Sequence, residues 1–261
     1  MALDRSFSFS SILNSYFMVA GGVALALLGA TYLKLEGNLP LVAAIGAGAF
    51  VGGWFAARAS RGSTIIEPAI GALLMVATTG ALLAATKGGQ FLWHVAQDEV
   101  LKDAGIVGGV ALAGALVGAF ISEKALGEAT TSALPWILYV ALAVLGGCFI
   151  AWQIGVVLPY QEVVGGIGRD ADTAAKVLLI ATAVGALLSG AGAGASARTR
   201  VIAAAFLGGG AGVFGAFLLA KQLLGSEWDV AGAAVIAGGG AIVATLGAAI
   251  GWGLIGRRGA A

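Results

Sequence analysis

Leu134–Leu158 reads LPWILYVALAVLGGCFIAWQIGVVL and contains no charged side chain. A helix rises 1.5 Å per residue, so about 20 residues cross a hydrocarbon layer of about 30 Å. This run is long enough to span a bilayer. Runs of the same kind flank it on both sides, at Ser15–Leu33, Leu39–Ala57, Pro68–Thr86, Ala104–Ile121, Ala174–Ala195, Val201–Ala220 and Val230–Ile255. The expected fold class is therefore all-α, a polytopic transmembrane helical bundle of eight helices. Composition agrees: 59% of the 261 residues are hydrophobic and 10% are charged, against about 25% charged in an ordinary soluble domain. The fourth run is the shortest in apolar length, and without it the C-terminus would move to the opposite side. The run Ser6–Leu33 exceeds the apolar core of a cleavable signal and reads as a retained first helix.

The charges between the runs set an orientation. With the N-terminus inside, inner segments hold Arg5, Arg58, Arg61, Lys124, Arg198, Arg200, Arg257 and Arg258, and outer segments hold Lys34, Lys87, Lys102, Arg169, Lys176 and Lys221. Every arginine except Arg169 is then inside, as positive-inside orientation requires. The expectation is N-in/C-in topology in a cell membrane, specifically a prokaryotic inner membrane.

Two basic turns suggest a duplication. Ala57–Gly62 separates the second and third runs and Ser196–Arg200 the sixth and seventh; the following runs carry Gly80–Ala84 (GALLA) and Gly215–Ala220 (GAFLLA). Halves at 1–128 and 129–261, each with an even number of helices, would enter the bilayer from the same side and form a parallel 4+4 repeat. Glycines spaced four apart lie on one helix face: Gly48/Gly52, Gly105/Gly109, Gly114/Gly118, Gly190/Gly194, Gly208/Gly212 and Gly247/Gly251. Small residues let helix backbones approach where lipid provides no hydrophobic driving force. These pairs assign the packing core to the second, fourth, sixth, seventh and eighth helices, leaving the first, third and fifth facing lipid or a partner.

Few residues carry chemistry. Cys148 has no partner cysteine and His94 no second histidine, so neither a disulfide nor a metal or haem centre is expected. Gly208–Gly212 and Gly238–Gly240 lie in apolar runs without the strand or Gly-Lys-Ser/Thr context of a phosphate loop. No cofactor and no nucleic-acid partner are expected. His94 falls in Gln90–Leu101, read as a short interfacial helix on the outer surface. Candidate pore or solute-lining residues are Glu67, Thr78, Gln153, Glu162 and Thr245. Glu67, followed by Pro68, reads either as a carboxylate complementing a helix start at the membrane edge or as a cation or proton ligand at a pore mouth. Gln153 is costly to leave in lipid and should face a helix or a polar cavity. Two functions are compatible with this pattern: movement of a small solute or ion, or a non-catalytic membrane subunit that packs against partners. Expected partners are membrane lipids, with further copies or other membrane subunits. An enzyme is the weaker reading, since neither a His-Glu-x-x-His pattern nor a nucleophile with its base occurs.

Overall fold

The computed structural model describes residues 9–59, 65–126, 133–154, 171–197, 202–224 and 230–254. They form eight helices: α1 Phe9–Tyr32, α2 Asn38–Ala59, α3 Ile66–Ala85, α4 Lys87–Leu126, α5 Ala133–Trp152, α6 Ala171–Ser196, α7 Ile202–Leu224 and α8 Val230–Leu254. All eight are long and apolar enough to cross a membrane. The chain is an all-α, multi-pass bundle.

Two helix limits differ from the hydropathy runs. Helix α1 begins at Phe9, more than a turn before Ser15, so Ser10, Ser11 and Asn14 become helical. Its far end closes with Lys34 at φ 51, where Leu35 N–H donates to Ala30 O at 3.0 Å and Lys34 N–H to Thr31 O at 3.2 Å. That is the double-bonded helix stop in which a left-handed residue turns the chain. Helix α4 covers 40 residues, about 60 Å at 1.5 Å per residue and twice the hydrocarbon layer. It bends at Ala96, whose φ −142 and ψ 44 are not helical. The interfacial segment expected at Gln90–Leu101 is thus part of α4, and its first portion is set off by this kink.

The bundle centre is not where glycine spacing placed it. The crossing segments of α1 and α5 are 61% buried, against 28% in α2 and 22% in α4, whereas α6 and α7, at 56% and 50%, and the outlying α3, at 22%, lie where the glycine spacing placed them. The reason is two adjacent glycines on each central helix, which face two neighbours at once. Gly21 lies against Leu142 and Gly146 of α5 while Gly22 lies against Gly48 and Gly52 of α2. Gly146 lies against Phe17 and Gly21 of α1 while Gly147 lies against Gly185 and Ser189 of α6. Pairs four apart serve one interface only, and a search for them passes over the doublets that hold the centre.

The neighbours of α1 and α5 follow one pattern. Helix α1 packs on α2 and α3, and α4 closes the ring by packing on both; α5 packs on α6 and α7, and α8 closes that ring in the same way. The correspondence extends to residues. Gly53 of α2 lies against Ala115 of α4, and Gly190 of α6 against Ala244 of α8. Gly118 meets Phe50 and Trp54, and Gly247 meets Leu187 and Ala191. Gly71 of α3 meets Ser15 and Tyr16 of α1, and Gly208 of α7 meets Val140 and Ala141 of α5. In this register Gly80 matches Phe217, so the GALLA and GAFLLA strings are not equivalent in space. A side chain on Gly80 would meet nothing within 4 Å, whereas a Cβ on Gly215 would come 3.7 Å from the Leu145 side chain.

The remaining glycine pairs divide clearly. A Cβ on Gly48 would come within 2.5 Å of Gly22 O, on Gly52 within 2.5 Å of Val19 Cα, and on Gly212 within 2.5 Å of Ala141 O. Gly114, Gly190, Gly194 and Gly251 are closed off in the same way by Gly46, Ala244, Ala248 and Ala191. Gly105 and Gly109 meet nothing within 4 Å and take no part in packing, because they sit on the outer face of α4.

A buried polar cluster and seam as candidate functional site

Ser10, Ser11, Asn14 and Ser15 recur at helical spacing along the start of α1 and so lie close to one face. That face is buried: Ser11, Asn14 and Ser15 are each 1% exposed. Asn14 Nδ2 donates to the Met18 thioether Sδ at 3.8 Å. Ser196, at the end of α6, donates its hydroxyl to Gly192 O at 2.7 Å and lies 3.2 Å from Ser10 O. Ser11 Oγ, Asn14 Oδ1 and Ser15 Oγ are buried and have no hydrogen-bond partner among the described residues. An unsatisfied buried polar group costs about 1–3 kcal/mol, so three together on one helix turn and a half are an expensive feature.

Glu67 belongs to the same region. It stands in the first turn of α3 and is 0% exposed. Helices α1 and α3 run parallel: Gly71 meets Ser15 and Tyr16, and Met75 packs in one cluster with Val19 and Val23. Glu67 lies one turn before Gly71 on the same face, level with Ser11, which lies one turn before Ser15. Glu67 thus stands at a helix start, as one of its two sequence readings has it, but enclosed by the bundle rather than exposed. The glycine crossing draws the first turn of α3 into the bundle and encloses the carboxylate.

Polar groups continue along α3. Tyr16 lies beside the Thr78 side chain, and Thr78 Oγ1 donates to Leu74 O at 2.8 Å. Thr79 Oγ1 donates to Gln153 Oε1 at 3.2 Å, tying α3 to the end of α5. From Glu67 to Thr79 the axial rise is about 18 Å, more than half of a hydrocarbon layer of about 30 Å. The seam is enclosed at Glu67 and exposed at Thr79.

The other candidates lie elsewhere. Thr245, on α8, donates to its own helix at Ala241 O, 2.7 Å away, outside the seam. Glu162 lies outside the described residues. His94 is exposed on the first portion of α4. Ser189 donates to Gly185 O at 2.6 Å, a local helix bond. Trp152, the one tryptophan deep in a run, donates its indole N–H to Thr182 Oγ1 at 2.8 Å and meets the Phe217 ring edge-on. Among the described residues no group of three or more His, Cys, Asp or Glu could hold a metal ion. Sequence reasoning passed over Ser11, Asn14 and Ser15 because hydropathy averages placed them at the border of a span. Their helical spacing was the available signal.

Comparison with protein-family models, with curated proteins and with solved structures returns no match. The class the fold defines is a polytopic integral membrane protein, on the strength of its eight candidate spans.

Proposed function

We propose that this protein moves a small solute or ion across its membrane along the α1–α3–α5 seam. The carrying observation is the line of polar groups from Glu67 through Tyr16 and Thr78 to the Thr79–Gln153 hydrogen bond, within helices that are otherwise almost entirely apolar. The chain is read as two halves, 1–128 and 129–261, related as a parallel repeat with both termini inside. The matched glycine crossings of the two rings support that reading, and the arginine distribution supports the orientation. At positions matching Tyr16, Thr78 and Thr79 the second half carries Ala141, Gly215 and Ala216, so the first half supplies the route and the second a rigid counterpart.

The test is stopped-flow light scattering of proteoliposomes under gradients of glycerol, urea, NaCl and KCl. At least one of these solutes is expected to cross faster than in protein-free vesicles, and Gln153→Leu is expected to slow it. If every solute crosses at the protein-free rate, the transport reading fails.

A second reading, a membrane subunit that packs against partners, is supported by one specific feature. Gly238 and Gly239 of α8 meet nothing within 4 Å, between the exposed Val235 and Ile242, which leaves a close-approach surface open. Stoichiometric copurification of another membrane chain, together with impermeable proteoliposomes, would favour it.

A further inference from the structure

We propose that the far half of α3, from Val76 to Ala85, is a gate over the Thr79 end of the seam, standing open in this structure. Its closed position is the one that α7 takes in the second half. The gate deepens the transport reading, but its motion is measured without flux, so the two can fail separately.

In the register that matches Gly71 with Gly208, the near halves of α3 and α7 agree. Glu67, Pro68, Gly71, Ala72 and Met75 are buried, and so are Ala204, Ala205, Gly208, Gly209 and Gly212. Past Met75 the agreement ends. Val213, Ala216, Phe217, Leu219 and Ala220 are all buried at 2% exposure or less. At the matching positions Thr79, Gly80 and Leu83 are exposed, and Val76 and Leu82 are only partly covered. Helix α2 changes in the same way at that end of the ring. Gly48 and Ala49 are buried like Gly185 and Ala186, but Leu41 and Ala44 are more open than Leu178 and Ala181, which are buried.

A lipid-facing position does not account for the difference, because the matching face of α7 points inward. There Phe217 meets Trp152 edge-on and shares a core cluster with Ala24 and Leu28 of α1, the central helix of the other half. The same register would seat α3 on α5. Among the described residues, however, α7 packs on α1 while α3 makes no comparable contact with α5. The cluster that joins Ala72 and Met75 to Phe149 and Ile150 of α5 reaches no further along α3 than Val76. Beyond it the Thr79–Gln153 hydrogen bond, at 3.2 Å, spans the two helices. The near half of α3 is seated as α7 is, and the far half stands off.

Helix α3 carries what a bend at this point needs. Thr78 Oγ1 donates back to Leu74 O, a bond that bends helices, and Gly80 weakens the helix just beyond it. Gly80 also leaves room for closure, since a Cβ there meets nothing within 4 Å. The missing side chain lets the α3 backbone come up to α5, as Gly21 and Gly146 let α1 and α5 meet. Closure covers the exposed end of the seam by swinging one helix segment about a short hinge.

The test is double electron–electron resonance on the full chain in lipid nanodiscs. Spin labels go on Ala84→Cys and Lys221→Cys, matching exposed positions on the gate and on its closed counterpart, with Tyr32→Cys and Lys221→Cys as the control pair. The gate pair is expected to show two distances, the shorter gaining population as sucrose is added, because an excluded osmolyte favours burial of surface. The control pair is expected to show one. Leu83→Gln puts an amide where the matching Ala220 is 2% exposed, and is expected to lower the short-distance fraction by about fivefold or more. Should Ala84→Cys fail to fold by size exclusion, Ala81→Cys, also exposed, takes its place. A single distance in the gate pair at every sucrose concentration, or the same shift in the control pair, overturns the gate. Two distances without solute flux in proteoliposomes would retain the gate and discard the transport reading; flux with a single distance would do the reverse.

Discussion

Gly21 and Gly146 face each other across the α1–α5 crossing, where a Cβ on either would strike backbone of the other helix. Backbone cannot rotate away as a side-chain tip can, so Gly21→Leu is expected to destabilise the protein by about 3 kcal/mol or more. Gly238→Leu, at a position with nothing within 4 Å, is expected to change stability by about 0.5 kcal/mol or less. Thermal unfolding in detergent, followed by fluorescence-detected size exclusion, compares the two; equal losses would refute the crossing. The polar cluster gives a prediction of opposite sign. Ser15 Oγ is buried without a partner among the described residues, so Ser15→Ala should stabilise the chain by about 1 kcal/mol. A destabilised variant would mean that the hydroxyl is satisfied. A residue kept at the expense of stability is typical of a site that serves function.

At the scale of elements, the kinked α4 shows how length and chemistry divide one helix into two roles. Around the kink it carries exposed Phe91, Trp93 and Val95 beside Gln90, Gln97 and Asp98, an amphipathic mix suited to the interface. From Ala104 to Ile121 the helix carries no charge and provides the crossing. Cys148 is buried, so thiol labelling reports introduced cysteines against a silent background. His94→Cys is expected to react with a membrane-impermeant maleimide, and Gly109→Cys, on the lipid-facing side of the apolar portion, is expected to stay unlabelled. Comparable labelling at both positions would place the whole of α4 in water. Helix α1 carries the other element-scale lesson. Hydropathy defines where a segment is oily, but α1 continues through Ser10–Ser15 because neighbouring helices enclose those turns, and there it meets Glu67.

At the scale of the molecule, two rings of helices share the α1–α5 contact. If they are a parallel repeat with the N-terminus inside, Glu36 and Lys124 lie on opposite sides of the membrane. In right-side-out vesicles Glu36→Cys should react with the impermeant maleimide at once, and Lys124→Cys only after permeabilisation. Labelling of both from the outside would invalidate the eight-span N-in/C-in arrangement.

Sequence alone determined that the chain crosses a bilayer and where each crossing falls, because the cost of charge and unpaired backbone in hydrocarbon acts on every segment locally. It also singled out Glu67, Thr78 and Gln153 as polar residues out of place in oil. Only the tertiary structure decided which helices are central, which glycines touch, and that Ser11, Asn14, Ser15 and Glu67 share one enclosed end. Those outcomes depend on backbones meeting across long sequence separations, and such close approach leaves no periodicity within a single helix to read.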